Sequence, residues 1–331
     1  MLQALPHISR RRALQGAAAA LVVFGLLMWW LVPAGDDSPG GRMTFSTGVK
    51  NAVYERYGKL LRTAVSHDMP KVDVELLNSE GSQQNVERVA TGKADFTIAA
   101  ADAVEKYRLE GRAGADRLRG CARLYDDYVQ LVVRRSSDIG KPQDLRGKKV
   151  AVGQPRSGVR LIAERVLKAA DLDPGKDLTP VDAGIDKAPD LLKKGDIDAF
   201  FWSGGLPTLT VTELSKEFDI RLVPLGTLVE ALHEQGGASR YYRAAVMPAD
   251  AYPATQQSDA VPTLAVANLL VTTDRADPKL TEGLTRTVID SRDHIGSVVH
   301  AAQLVDLRTA LYTDPLDLHE GARRYYQSVK P

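Results

Sequence analysis

The sequence SEGSQQNVERVATGKADFTIAAAD spans residues 79–102 and contains the pattern that decides the fold. Gly81 and Ser82 open a helical pattern, Gly92 ends it, and a short apolar run then leads to Asp102. Turn, helix, glycine stop and strand in this order form the repeating unit of an α/β protein. Backbone N–H groups at the start of such a helix lack helical partners, so the segment also predicts a place where a small anion binds.

The same pattern recurs in VAVGQPRSG, residues 150–158, where an apolar strand leads to Ser157 and Gly158 at the start of a second helix. Arg156 beside it offers a bidentate partner for an anion, although most loop arginines point to water. A further strand follows in GDIDAFFW, residues 195–202. Two such helix starts, with no catalytic triad or metal-ligand cluster between them, indicate capture of a small ligand between two lobes.

Composition excludes several classes of function. The 331 residues are enough for one large domain or two ordinary ones. Lys and Arg number 43 against 42 Asp and Glu, so the net charge of +1 gives no electrostatic case for nucleic acid. The single cysteine, Cys121, excludes an intramolecular disulfide and a cysteine-rich zinc site. We expect no cofactor and no metal.

The sequence does not favour an enzyme. The histidines after residue 40 are scattered, and no nucleophile elbow, Walker loop or dinucleotide fingerprint is present. An enzyme on the same fold stays open as an alternative, and it requires a titratable pair across the cleft. The candidates are Asp102 with His233 or Asp198.

The N-terminus predicts export. Arginines at positions 10–12 precede an uncharged apolar run over residues 13–34, which is typical of an export signal. Residues 1–35 are therefore interpreted as a signal peptide or as an uncleaved membrane anchor, because the run has nearly the length needed to span. The Gly-, Pro- and Ser-rich residues 36–42 are predicted to form a linker. We expect a periplasmic or cell-surface location.

From Met43 onward, short apolar runs alternate with amphipathic helical patterns, which predicts parallel sheets flanked by helices. The apolar run 128–134 is interpreted as a strand between lobes, followed by a polar boundary. Residues 279–300 and 301–312 are predicted to be helical. The expected organisation is lobe 1 over 43–134 and 243–331, with lobe 2 over 135–242.

The candidate ligand-binding residues have competing structural explanations. Ser82 and Asp102 are also suited to cap helices, and tyrosines are commonly just half-buried packing residues. Glycine in a turn after a strand permits close approach of backbone to a ligand. The predicted site residues are Tyr54, Gly81, Ser82, Asp102, Tyr125, Arg156, Ser157, Gly158, Trp202, Gly204 and Gly205.

With these residues in view, the chain resembles the TAXI family of solute-binding proteins from tripartite ATP-independent periplasmic (TRAP) transporters over about residues 43–313. Six matches in the same order carry the resemblance. They are Gly81-Ser82-x-x-Asn85, Gly92-Lys-Ala-Asp95, Leu124-Tyr125 through Val132-Val133-Arg134, DLRGKKV at 144–150, Ser157-Gly158, and GDIDAFF at 195–201 with Gly205-x-Pro207.

The resemblance implies a two-lobed fold of periplasmic-binding-protein type II-like architecture, with the ligand cleft between the lobes. It implies capture of a carboxylate-bearing solute, such as a glutamate-like amino acid or a dicarboxylate, for a TRAP-type membrane permease. A ligand-sensing module that feeds a receptor or kinase is the alternative. The family's cleft is lined at the positions of Tyr54, Ser82, Asp102, Tyr125 and Ser157.

The chain departs from the family pattern at several positions in this cleft. Glu80 stands where the family usually has a glycine, and Ala100-Ala101 replace a Gln-Ser pair. Val159 stands where a threonine is common, and Glu55-Arg56 replace Tyr-Pro after Tyr54. Because polar side chains are lost from the expected cleft, the solute itself is not transferred from the family.

Overall fold

A computed structural model describes residues 21–24, 38–50, 52–256 and 259–329. Residues 21–24 are helical and belong to a separate unit from residues 39–331. The predicted signal peptide or anchor, residues 1–35, lies outside the described residues apart from this turn. Among the residues that are described, no helix combines the length and the apolar character needed to cross a membrane.

Strands and helices alternate through residues 39–329. The strands are β1 (Gly41–Ser46), β2 (Val72–Leu77), β3 (Phe96–Ala100), β4 (Leu118–Arg134), β5 (Lys149–Ala151), β6 (Thr179–Val181), β7 (Ala199–Gly204), β8 (Ile220–Val223), β9 (Arg243–Met247) and β10 (Val261–Thr273). The helices are α1 (Val53–Asp68), α2 (Ser82–Ala90), α3 (Ala101–Leu109), α4 (Gly158–Ala169), α5 (Ala188–Lys194), α6 (Leu209–Glu217), α7 (Val229–Glu234), α8 (Pro253–Gln256), α9 (Pro278–Asp290), α10 (Arg292–Gly296), α11 (Leu307–Ala310) and α12 (Glu320–Ser328).

Apolar periodicity accounts for these elements. In α1, Tyr57, Leu61 and Val65 recur at four-residue spacing and are buried, which makes one apolar stripe along the helix. The β3 strand is buried at every position because it lies inside the sheet with both faces covered. At the N-terminal edge, β1 begins at Gly41, inside the segment predicted as a linker, because its backbone pairs with β2 from that residue onward.

The sheet has the order β2-β1-β3-β10-β4-β7-β5-β6, with β8 paired to β4 and β9 to β10. We call the parallel group β2, β1 and β3 the first half, and the parallel group β7, β5 and β6 the second half. The antiparallel strands β10 and β4 lie between them. This arrangement confirms the predicted α/β fold with two mostly parallel groups, while the lobe boundaries at 134/135 and 242/243 stay predictions.

The long strand β4 belongs to both halves of the sheet. It pairs with β10 over 118–128 and with β7 over 128–133, so Tyr128 is the residue at which the partner changes. The sequence predicted a strand only from Tyr128, because Arg123 and Asp126 interrupt the apolar run before it. These two side chains pair with each other at 2.6 Å, and the strand therefore continues through them to Leu118.

The C-terminal region is less helical than predicted. The helix expected over 279–300 ends at Asp290, and the short helix α10 follows it. The segment 301–312 was predicted to be helical, but it forms a 3₁₀ turn at His300–Leu304 and the single turn α11. Asp306 separates the two because its carboxylate accepts the N–H of Arg308 at 2.7 Å and caps the new turn.

Candidate functional site

A cavity lies where the helices α2 and α4 begin, between the two halves of the sheet. Its walls come from both halves and from α1, and its only charged side chains among the described lining residues are carboxylates. The lining residues are Gly48, Val49, Ala52, Val53, Tyr54, Glu80, Gly81, Ser82, Ala100, Asp127, Ser157, Gly158, Val159, Ile162, Trp202 and Ser203.

The start of α2 forms one wall. Gly81 is its N-cap residue and has φ +127°, a conformation that favours glycine. A Cβ at this position would lie 3.4 Å from Cα of Ser157, so glycine also lets the two helix starts approach. Ser82 is the first helical residue, and its Oγ accepts the N–H of Ala100 at 3.2 Å instead of capping α2.

The start of α4 forms the facing wall. Ser157 caps α4, since its Oγ accepts the N–H of Arg160 at 3.0 Å and donates to the oxygen of Gln154 at 2.7 Å. Gly153, with φ +89°, lets the loop turn this tightly, because a Cβ there would lie 2.8 Å from the nitrogen of Arg160. Ser157 therefore caps a helix, and the same residue also borders the cavity.

Two hydrogen bonds join the two helix starts directly. Nε2 of Gln83 donates to the backbone oxygen of Ser157 at 2.8 Å, and the N–H of Gln84 donates to the oxygen of Arg156 at 3.2 Å. The two segments that the sequence predicted as facing walls are thus in contact, and the cavity is closed on this side.

Three residues that border the cavity contribute backbone N–H groups that have no hydrogen-bond partner in the described part of the chain. They belong to Ser82, Gly158 and Val159, in the first turns of α2 and α4. First-turn N–H groups have no helical acceptor, and the helix dipole adds positive potential there. The cavity therefore offers two helix N-termini to one negatively charged group.

Tyr54 connects the cavity to the centre of the sheet. Its hydroxyl donates to Oδ1 of Asn268 at 2.5 Å. Since this bond uses the only phenolic proton, the hydroxyl of Ser82, 3.1 Å away, donates to Tyr54. Burial is the main reason that the pKa of Tyr54 is raised well above its ordinary value, so Tyr54 stays a neutral donor.

The sequence reasoning missed Asp127, which borders the cavity from β4. Its side chain is 5% exposed, and Oδ1 has no hydrogen-bond partner among the described residues. The pKa of Asp127 is raised to about 7, mainly by burial; the side chain of Asn268 opposes the rise, and the neighbouring Asp126 and Asp102 add to it.

A β-bulge beside Asp127 shapes this wall. Asn268 of β10 lies opposite two residues of β4, Leu124 and Tyr125, because the register shifts between Ala267 and Leu269. Bulges of this kind re-aim side chains and occur often next to functional sites. A sequence signal existed in the alternation of Tyr125, Asp127 and Val129, which places one acid in a row of buried positions.

Asp102 does not border this cavity, although it was predicted as a site residue. Its carboxylate is fully buried, accepts the hydroxyl of Tyr242 at 2.6 Å and pairs with Arg165 at 3.3 Å. The α3 helix begins at Ala101 without an intervening turn, so Asp102 lies in the first helical turn beside α4. Burial raises its pKa, and the Arg165 charge opposes that shift.

The remaining predicted residues occupy different places. Tyr125 is 1% exposed and packs against Tyr57, behind the cavity wall, with ring centroids 6.1 Å apart. Arg156 pairs with Glu87 at 2.6 Å, outside the cavity lining. Trp202 borders the cavity, Gly205 borders a neighbouring one, and Gly204 borders neither.

The titratable pairs considered for an enzyme are engaged elsewhere. The carboxylate of Asp198 accepts the N–H of Lys149 at 2.8 Å, which is a structural role at a strand start. Nε2 of His233 lies 2.6 Å from the backbone oxygen of Tyr242. Within the described residues, no group of three or more His, Cys, Asp and Glu is arranged to hold a metal ion.

Residues 45–329 match the model of the NMT1-like family, and the chain belongs to that family. The match shows the NMT1-like family and does not show the TAXI subfamily that the sequence resembles.

Solved structures with the same fold come from several bacteria. PhnD1 from Prochlorococcus marinus, in complex with methylphosphonate, is 14% identical with a TM-score of 0.53, over 79% of this chain and 90% of that one. A protein from Bordetella bronchiseptica is 18% identical with a TM-score of 0.52, over 88% and 90%. A putative L-cystine ABC transporter protein from Listeria monocytogenes is 13% identical with a TM-score of 0.50, over 80% and 98%. The fold is thus of periplasmic-binding-protein type II-like architecture.

Proposed function

We propose that this chain is an exported solute-binding protein that closes on a small carboxylate-bearing solute and delivers it to a membrane permease. The observation that carries the proposal is the pair of helix N-termini at one cavity, with the N–H groups of Ser82, Gly158 and Val159 unpartnered in the described chain. Each N-terminus contributes about 0.3–1 kcal/mol to anion binding when exposed and up to about 2 kcal/mol when partly buried.

The cavity also has the construction of a binding site. Tyr54, Ser82 and Ser157 supply hydroxyls beside apolar lining residues, with Trp202 on one wall. Such sites use a few placed polar groups to orient a ligand within an apolar pocket. Two proteins of the same fold, a putative L-cystine ABC transporter protein and PhnD1 in complex with methylphosphonate, agree with solute capture.

We further propose that the partner is a permease of the TRAP type, as the TAXI resemblance implies. The motif residues Gly81-Ser82 and Ser157-Gly158 support this subfamily because both pairs border the cavity. Export and delivery to a membrane then follow from the basic and apolar N-terminus. A permease encoded beside this chain, and solute uptake that requires both proteins, would support the partner.

A melting screen of the full-length protein tests solute binding. The compounds are amino acids, dicarboxylates, keto acids, phosphonates and sulfonates, with sugars as uncharged controls, since a specific ligand raises the melting temperature by mass action. We expect stabilisation by carboxylates. Stabilisation by sugars alone, or by none of these compounds, would contradict the proposal.

A further inference from the structure

We infer that the cavity selects a solute that carries an ammonium group as well as a carboxylate, and that Asp127 is the residue that recognises the ammonium. This inference rests on the proposed solute-binding function and adds the chemical class of the solute. It assigns a recognition role to a residue that lies apart from the helix starts.

The charge of the cavity wall favours a solute that carries a positive group. Among the described lining residues, the charged side chains are Asp127 and Glu80, and both are acidic. The nearest arginine to Glu80, Arg156, has its Nε 3.9 Å from that carboxylate and pairs more closely with Glu87. A solute with only negative groups would therefore meet carboxylates that no cavity-lining cation neutralises.

The surroundings of Asp127 favour the same class of solute. Asp127 is 5% exposed, and its Oδ1 has no hydrogen-bond donor in the described chain. The side chain of Asn268 supports the charged form only in part, and the neighbouring Asp126 already pairs with Arg123 and Arg243. A buried carboxylate oxygen without a donor is costly, and an ammonium group hydrogen-bonded to it reduces that cost.

The two kinds of group lie on different elements of the cavity wall. The unpartnered N–H groups belong to α2 and α4, whereas Asp127 belongs to β4 next to the point where that strand changes partner. Ser203, on the neighbouring strand β7, also borders the cavity and has an unpartnered Oγ. The lining thus contains N–H donors that suit a carboxylate and oxygen acceptors that suit an ammonium group, which are the two charged groups of an amino acid.

Matched pairs of acids test this inference on the full-length protein by calorimetry. The pairs are glutamate with 2-oxoglutarate and alanine with pyruvate, which differ in the amino group. We expect each keto acid to bind about 10- to 100-fold more weakly than its amino acid, since a hydrogen bond to a charged group is worth that much. In Asp127→Asn, the preference for the amino acid falls below about threefold, while the adjacent Asp126→Asn retains it.

The pH profile of the wild-type protein gives a second readout that does not depend on a variant folding. The groups that face Asp127 are Asp102, Asp126, Tyr54 and Tyr125. Protonation of Asp127 competes with ammonium binding, so the amino-acid preference decreases from pH 8 to pH 5, and keto-acid binding does not decrease in parallel.

The outcomes separate this inference from the proposed function. Equal affinities for amino and keto acids would overturn the ammonium role while solute binding stands. A preference that survives in Asp127→Asn, or that does not change with pH, would also overturn it. If none of the four acids binds, the proposed function fails and the inference fails with it.

Discussion

Nε2 of Gln83 lies 2.8 Å from the backbone oxygen of Ser157, and this hydrogen bond joins the start of α2 to the start of α4. The side chain of the next residue, Gln84, makes a local bond instead, since its Oε1 accepts the N–H of Glu80 at 2.8 Å. The side chain of Gln83 therefore connects the two walls, whereas the side chain of Gln84 stabilises one wall only.

We predict that Gln83→Ala and Gln84→Ala each lower the free energy of unfolding by about 1 kcal/mol, the value of one hydrogen bond. Only Gln83→Ala is expected to speed dissociation of a bound solute, by about fivefold, because only this variant weakens the closed arrangement. Stopped-flow tryptophan fluorescence measures the rate, since Trp202 borders the cavity. Equal dissociation rates for the two variants would show that the Gln83 contact does not hold the walls together.

We predict that Ser157→Tyr abolishes stabilisation by any solute that binds in this cavity, because Ser157 borders it and a phenol ring occupies the space. The variant also loses the α4 cap, which costs about 0.5–2 kcal/mol. Ser157→Ala is the matched control, since it removes the same cap without adding volume. Melting curves with and without solute check both, and an unchanged solute effect in Ser157→Tyr would place the site elsewhere.

We predict that Asp127→Asn stabilises the solute-free protein at pH 8 but not at pH 4. The pKa of Asp127 is raised from its ordinary 3.8 to about 7, so between these values the folded state binds the extra proton. Stability from this group is therefore present below about pH 4 and is lost as the pH rises to about 7.

The difference in the free energy of unfolding between wild type and Asp127→Asn has an upper limit of about 4 kcal/mol, because each pKa unit corresponds to about 1.36 kcal/mol. Water that enters the site reduces this difference to about 1–3 kcal/mol. Urea unfolding of wild type and variant at a series of pH values measures the difference. Asp126→Asn serves as the control for loss of a neighbouring charge. A constant difference between wild type and Asp127→Asn across this range would contradict the raised pKa.

We predict that Arg165→Met destabilises the protein by about 3–5 kcal/mol, because the fully buried Asp102 loses its charged partner. The double variant Asp102→Asn with Arg165→Met recovers much of that loss, since the remaining amide is neutral. Solute affinity changes less than about threefold in the double variant, because neither side chain borders the cavity. Loss of solute binding in the double variant would show that Asp102 belongs to the binding site.

The sequence predicted helices and strands well where a single apolar pattern distinguished them. The strand Phe96–Ala100 forms in the apolar run that was predicted between Gly92 and Asp102, because apolar residues and a glycine stop mark it. The two helix starts at Gly81-Ser82 and Ser157-Gly158 were also identified, since glycine and serine residues mark both turns in the sequence. Their direct contact depends on the three-dimensional sheet order, which no local pattern contains.

The acids show where sequence reasoning reached its limit. Asp102 follows a strand and so was assigned to the cleft, but its partners Arg165 and Tyr242 are 63 and 140 residues away in the chain. Asp127 lies in a segment whose charged residues interrupt the apolar pattern of a strand, and a bulge opposite Asn268 shapes its surroundings. Both roles follow from distant contacts that composition and spacing do not reveal.

The backbone bond between Gln84 and Arg156 has a kinetic consequence for solute uptake. It joins main-chain atoms of the two walls, and Arg156 holds a left-handed φ of 66° at that point. If a solute enters between these two walls, the bond has to break first, and the observed association rate then levels off at the opening rate as the solute concentration increases. The measured affinity is then weaker than that of the open form by the fraction of molecules that are open.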